Sequence, residues 1–290
     1  MCHRKSWLRS PRARANRSFG DSVMNCSSYL RRIGFVGCPQ PNLATLHRLQ
    51  RGHLQHIAFE NLDVQFGRRI TLDAEEAFAK LVTNGRGGWC YEMNGLFRWA
   101  LESIGFRVTP MIGAVMRAER GPSAIGNHLV LSVELDEPYL TDVGLGDGPL
   151  EPIPLKEGSY QQQWRSLRLE RLNDGWWRFH NYQNALAPTF DFHRQPADWD
   201  VLAEKCNWLQ TSPESRFVQN AVCLRHLPNG IVALVGRVLK TVNQDGVTDQ
   251  FVNSADEYVE TLAATFDIRL PQAADLWPKI IRRHEALFGS

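Results

Sequence analysis

The spacing of apolar residues changes partway along the chain. From about Ser27 to Gly105 it is mostly helical. Asp73 opens a stretch with Ala74, Phe78, Leu81 and Val82 on one face, which predicts an amphipathic helix, and Asn84-Gly85-Arg86-Gly87-Gly88 breaks it. A second helix follows, with Met93, Leu96, Phe97, Ala100 and Leu101 on one side and Gly105 as its stop. Beyond Gly105 the period drops to two. Leu129, Leu131, Val133 and Leu135 alternate with His128, Val130, Ser132 and Glu134, which predicts a strand with one core face. Asn173-Asp174-Gly175, Pro228-Asn229-Gly230 and Gln244-Asp245-Gly246 are hairpin signals. Residues 197–211 predict a helix between two β sections. Ser254 and Glu257 form a capping box ahead of Val259, Leu262, Ala263 and Phe266. The order is a helical block, a β block, a linking helix, then mixed α and β.

Charge adds a boundary. The 290 residues hold 33 basic and 31 acidic side chains, a net charge of +2. Residues 1–23 carry six basic groups against one acid, so the remaining 267 residues are mildly acidic. That excludes the basic footprint of a dedicated nucleic-acid binder. A hydrophobic content of 43% and a charged content of 22% exclude a disordered chain. No apolar run approaches the roughly 20 residues of a membrane span. The basic start lacks the apolar segment of a secretory signal. Residues 1–23 therefore read as a disordered basic extension, with Met24 as an alternative first residue. Six scattered cysteines without a C-x-x-C pair fit a reduced, cytoplasmic protein.

The sharpest local feature runs from Arg86-Gly87-Gly88-Trp89-Cys90 to Tyr91-Glu92-Met93-Asn94. Cys90 sits where a glycine-rich loop enters a helix, and orphan amides and the helix dipole favour a thiolate there. A thiol nucleophile needs a base, and nine histidines compete. His128 stands on the face of its strand opposite the leucines. Asp142 lies on the next strand-like run and is a candidate to orient an imidazole. A three-residue loop at Asp136-Glu137-Pro138 puts even-numbered residues of both strands on one face. It also leaves Asp142 about four residues, roughly 13 Å, from the residue opposite His128. A bulge or a different pairing has to close that gap. His53, His56 and Glu60 share a helical face, but no fourth ligand has metal-site spacing, and no metal is expected.

The segment Arg86-Gly-Gly-Trp-Cys90-Tyr-Glu-Met-Asn94-Gly-Leu-Phe97 resembles the active-site signature of the arylamine N-acetyltransferases. Ala58 to Asp63, Thr141 to Gly146, Ser212 to Phe217 and Tyr29 to Phe35 resemble further segments of that family, so the resemblance covers essentially everything from Met24 onward. It implies an α+β fold with a papain-like cysteine core. The implied domains are a helical domain over 24–105 bearing the nucleophile, a β-barrel over 106–196, a linking helix over 197–211 and an α/β lid over 212–290. It implies a catalytic triad of Cys90, His128 and Asp142. The implied reaction transfers acetyl from acetyl-CoA, the donor co-substrate, to an aromatic amine or hydrazine through an acetyl-cysteine. The expected setting is xenobiotic metabolism, by a monomer or homodimer with no nucleic-acid or membrane partner. Phe59, Tyr91 and Phe217 carry over to the acceptor pocket, with Leu145 where the family usually has Phe. Gly126, Asn127 and Gly146 are the candidate CoA contacts. Arg86 is expected to pair with Glu60 beneath the nucleophile.

Three other readings use the same residues. An amide synthase of the same superfamily would close a macrolactam, a thiol hydrolase would pass the acyl group to water or lysine, and a catalytically idle binding protein would keep only the fold. The intact Cys90, His128 and Asp142 argue against the last. Removing residues 1–23 is expected to leave acetyl transfer unchanged.

Overall fold

The computed structural model describes residues 24–289, so the expected extension 1–23 lies outside the described residues. The first block is helical, with α1 (Cys26–Arg32), α2 (Leu43–His56), the short strand β1 (Phe59–Glu60), α3 (Leu62–Gln65), α4 (Ala74–Phe78) and α5 (Cys90–Ile104). Local chemistry sets the boundaries. The side chains of Asn25, Asn42 and Asp73 each accept amide hydrogens at the start of α1, α2 and α4. Gly105 ends α5 at φ 108°, a left-handed conformation suited to glycine. Met93, Leu96, Phe97, Ala100 and Leu101 form the buried face of α5, as their spacing predicts. The stretch opened by Asp73 differs from expectation. After Phe78 it widens into one π-helical turn, Ala79–Thr83, where Lys80 reaches inward to Asp63 and Glu92.

The β block is an eight-stranded antiparallel sheet of β2 (Arg107–Val115), β3 (His128–Glu134), β4 (Pro138–Thr141), β5 (Ile153–Pro154), β6 (Gly158–Gln162), β7 (Arg165–Arg171), β8 (Trp177–His180) and β9 (Thr189–Pro196), with the small helix α6 (Arg117–Arg120) after β2. The spatial order is β5-β4-β3-β2-β9-β8-β7-β6, so the two edge strands are neighbours in the chain. Side chains bridge those edges. The Tyr160 hydroxyl donates to the Pro154 carbonyl at 3.2 Å, and Gln162 Nε2 donates to the Glu151 carbonyl at 2.8 Å. The sheet thus curls into a nearly closed barrel around Val130, Leu140, Leu169, Phe179, Phe190 and Phe192.

Two expectations about β3 are corrected. Its polar face is not open, because the strand is central in the sheet. Leu129, Leu131 and Val133 pack on the helical block, while Val130 packs in the barrel. His128 is only 1% exposed, with its ring 5.2 Å from that of Phe190. The hairpin also turns one residue earlier than expected. Leu135 to Glu137 form the loop, and Leu131 pairs with Thr141, Ser132 with Leu140 and Glu134 with Pro138. Even-numbered residues still share a face, but extending that register sets position 144 opposite His128. Asp142 is then two residues away instead of four, so a different pairing closes half the expected gap.

Helix α7 (Trp199–Thr211) and the short α8 (Arg216–Gln219) lead to a second antiparallel sheet. It is made of β1 with β10 (Val222–Leu227), β11 (Gly230–Val235), β12 (Val238–Asn243) and β13 (Gly246–Phe251). Its three hairpins have two-residue turns, at Pro228-Asn229 and Gln244-Asp245 as the turn residues predict, and at Gly236-Arg237 between β11 and β12. Ser254 caps α9 (Ala255–Phe266) by accepting from the Glu257 amide at 3.1 Å, and α10 (Trp277–Phe288) follows. Because β1 belongs to the helical block yet pairs with β10, the two ends of the fold share one sheet. Among the described residues no helix is long and apolar enough to cross a membrane.

Candidate active site

Cys90 is the first residue of α5 and is 4% exposed. The loop before it is pressed against β1. The Glu60 amide donates to the Gly88 carbonyl at 2.9 Å, and the Gly88 amide donates to the Ala58 carbonyl at 3.2 Å. A Cβ on Gly87 would stand 2.2 Å from the Ala58 carbonyl oxygen, so only glycine allows that approach. The helix start is stabilised by Glu92, whose Oε2 accepts from the Trp89 amide at 3.2 Å.

Glu92 belongs to a buried ion network beneath the loop. Lys80 Nζ stands 2.9 Å from both Glu92 Oε1 and Asp63 Oδ2. Arg86 Nη2 stands 2.6 Å from Glu60 Oε1 and 3.3 Å from Asp63 Oδ1. The expected Arg86–Glu60 pair is therefore present, but as part of a larger cluster that Arg68 joins from the surface, 3.2 Å from Asp63 Oδ1. Burial opposes the charge on Lys80, yet Glu92, Glu60 and Asp63 outweigh it and hold its pKa above the ordinary lysine value. Lys80, Asp63 and Glu92 went unread in the sequence. Their only signals are an inward lysine at a break in the helical pattern and a glutamate at the third position of α5.

His128 and Asp142 meet directly, with His128 Nε2 2.7 Å from Asp142 Oδ2. Cys90 lies close enough to the imidazole to favour its charged form, and its Sγ stands 3.9 Å from the Asn127 carbonyl. Burial alone would lower the His128 pKa. The Asp142 charge and hydrogen bond, with the contact to Cys90, overcome it and push the value up to about 10. The histidine therefore carries its proton across neutral pH. Asp142 lies just past the end of β4, and its Oδ1 accepts from Asn94 Nδ2 at 2.8 Å and from the Gly144 amide at 2.7 Å. A Cβ on Gly144 would lie 2.5 Å from Asn94 Nδ2 and 2.7 Å from Cys90 Cα, so glycine is required where this loop crosses the start of α5.

The aromatic candidates are brought together in part. The rings of Phe59 and Phe217 lie 6.2 Å apart, Trp89 and Phe217 5.5 Å, and Trp89 and Tyr91 5.4 Å. The Tyr91 hydroxyl donates to the Gly126 carbonyl at 2.6 Å. Leu145 packs instead with the barrel cluster. The CoA candidates sit against different elements. The Gly126 amide donates to the Gly113 carbonyl, and the Asn127 amide to the Ala124 carbonyl. Both ends of the Asn127 amide side chain bond to the backbone of Val115. Gly146 packs near Leu224 on β10. A separate cavity of about 470 Å³ opens between the second sheet and α10, with Val238, Phe251, Leu287 and Phe288 as apolar lining and Arg237 and Arg283 in its wall. Those two guanidinium groups are held by neutral acceptors, Val252 and Asn253 for Arg237, Asn220 and Gln219 for Arg283.

Among the described residues no group of three or more His, Cys, Asp or Glu side chains is placed to hold a metal. His53 bonds the Tyr29 hydroxyl, His56 meets the Gly52 carbonyl and Glu60 is held by Arg86.

Residues 42–275 match the family described as N-acetyltransferase. An arylamine N-acetyltransferase from Mycolicibacterium smegmatis is 36% identical over 261 residues, covering 87% of this chain and 94% of the relative. A pineal gland arylamine N-acetyltransferase isozyme from Gallus gallus is 32% identical over 277 residues, covering 85% and 95%. Among solved structures, an N-arylamine acetyltransferase from Mycobacterium smegmatis is similar with a TM-score of 0.81 at 33% identity, covering 89% of this chain and 98% of the other. An arylamine N-acetyltransferase from Mycobacterium marinum in complex with CoA has a TM-score of 0.80 at 29% identity, with the same coverage.

Proposed function

The chain belongs to the arylamine N-acetyltransferase family, an α+β papain-like fold that uses acetyl-CoA, and from that membership we propose a two-step, ping-pong reaction on Cys90, His128 and Asp142. The observation that carries it is the 2.7 Å contact between His128 and Asp142, with Cys90 near enough to favour the charged imidazole. Cys90 reacts as its thiolate, with the protonated His128 as proton donor. The thiolate attacks the thioester carbonyl, and orphan amides at the start of α5 hold the oxyanion. The C–S bond to CoA breaks, and His128 gives its proton to the departing CoA sulfur. Cys90 is now an acetyl thioester and His128 is neutral. The aromatic amine attacks that carbonyl, His128 takes the proton from nitrogen, and Cys90 leaves as thiolate. The acetylated amine departs and the ion pair is restored.

Phe59, Tyr91 and Phe217, with Leu145, are the proposed acceptor pocket. Gly126 and Asn127 have their amides committed to the backbone, which leaves Gly146 as the proposed glycine contact for CoA. The anionic end of CoA is assigned to the cavity beside α10, where an apolar wall adjoins two guanidinium groups that have no carboxylate partner among the described residues, beside the Lys240–Asp249 pair. Asn61 Nδ2 bonds the carbonyls of both Phe217 and Asn220, which ties that cavity to the aromatic cluster. The chain is further read as the four segments 24–105, 106–196, 197–211 and 212–290, acting in the cytoplasm on foreign aromatic amines.

Steady-state kinetics test the two-step course. Varying acetyl-CoA at several amine concentrations should give parallel double-reciprocal lines, and Cys90→Ala should lose activity while melting normally. Intersecting lines would contradict the acetyl-cysteine intermediate.

A further inference from the structure

The sheet does not place Asp142, because β4 ends at Thr141 and Asp142 begins the loop beyond it. Something else must hold the carboxylate on His128. Asn94 stands one helical turn after Cys90 on α5, fully buried. One Nδ2 hydrogen goes to Asp142 Oδ1 at 2.8 Å, and the other to the carbonyl of Leu129, the residue after His128, at 2.6 Å. Its Oδ1 accepts from the amide of Val143, the residue after Asp142, at 3.0 Å. One side-chain amide therefore joins the nucleophile helix, the histidine strand and the aspartate loop.

We infer that Asn94 is the positioning residue of the site: it fixes the Asp142 carboxylate on His128 and ties both to the helix of Cys90. The inference rests on the reading of Cys90, His128 and Asp142 as the reacting set. Asn94 and the Gly144 amide both donate to Oδ1, which turns Oδ2 toward His128. The groups facing the imidazole are Asp142, Cys90 and the ring of Phe190. Asn94 hydrogen-bonds neither Cys90 nor the imidazole, so its effect passes through Asp142 and the backbone beside it and beside His128. A buried asparagine that only filled space would leave the histidine's proton unchanged when replaced.

The test uses the full chain and reads His128 directly, by ¹⁵N imidazole NMR titration, with His128→Gln to assign the signal. Asn94→Ala should lower kcat by about 10- to 100-fold, the effect of losing a hydrogen bond to a charged group. The KM for acetyl-CoA should stay within about twofold, and His128 should lose its proton at a pH lower by about one unit or more. A folded Asn94→Ala that keeps the wild-type titration and kcat overturns the inference. If that variant does not fold, Asn94→Asp serves. It keeps the acceptor for Val143 but sets a carboxylate against Asp142, and protonation of one of the two restores a donor. Its kcat relative to wild type should therefore rise as pH falls from about 8.5 to about 6.5. A ratio independent of pH overturns the inference. The titration does not depend on acetyl transfer, so a wild-type protein that fails to acetylate Cys90 would sink the reaction while leaving Asn94 separately testable.

Discussion

At the scale of single residues, the site rests on one imidazole with two partners. The folded pKa of His128, about 10, lies above the unfolded histidine value near 6.5, so the folded state holds the proton more tightly. The sign follows from that. The stabilising contribution is whole below about pH 6.5 and is lost as pH rises through about 10. Asp142→Asn removes the carboxylate that holds the proton. Thermal melting across that window should fall with rising pH in the wild type and fall less in Asp142→Asn; equal slopes would count against the pairing. Cys90, His128 and Asp142 were singled out as a set only by the family resemblance, since nine histidines compete and the expected hairpin leaves Asp142 about four residues from the residue opposite His128. Asn94 was not. It sits inside the same segment, but its use depends on which backbone groups cross α5, and a one-residue shift in the hairpin loop decides that.

The element that matters most is the start of α5. Its glycine loop packs on β1, and its first turn is held by Glu92, Lys80, Asp63, Arg86 and Glu60. Glu60 is fully buried, so removing Arg86 strands a charge in the interior. Arg86→Ala should destabilise by about 3–5 kcal/mol. That corresponds to a melting drop of roughly 5–10 °C, with acetyl transfer per folded molecule changed far less. Normal melting in that variant would contradict a structural role. Periodicity revealed α5 and the hairpins because helix faces and turn residues are local. It could not reveal the ion cluster, whose members are separated by up to 32 positions and meet only once β1 and α5 pack.

The whole molecule is closed by long-range pairing. β1 joins β10, and the Asn61 side chain bonds Phe217, Asn220 and Val222 across about 160 residues. That closure also brings Phe217 against Phe59 and Trp89 of the helical block, the proposed acceptor side of the site. Replacing both Arg237 and Arg283 by Ala should raise the KM for acetyl-CoA by about tenfold, as two exposed-side contacts of about 0.7 kcal/mol each would give, and leave kcat nearly unchanged. An unchanged KM would move the nucleotide elsewhere. The fold class came from the family resemblance, and element order was legible because helix and strand periods are local. The cavity beside α10 was not, because its walls come from separate strands, a barrel loop and the last helix.

The central claim is that acetyl passes through Cys90. The most direct measurement is intact and peptide mass spectrometry of the protein mixed with acetyl-CoA, before and after an aromatic amine is added. A single acetyl group should appear on Cys90 and disappear as acetylated amine forms, with no adduct in Cys90→Ala. Amine-dependent CoA release with no acetyl on Cys90, or an adduct that persists in the presence of amine, would contradict it.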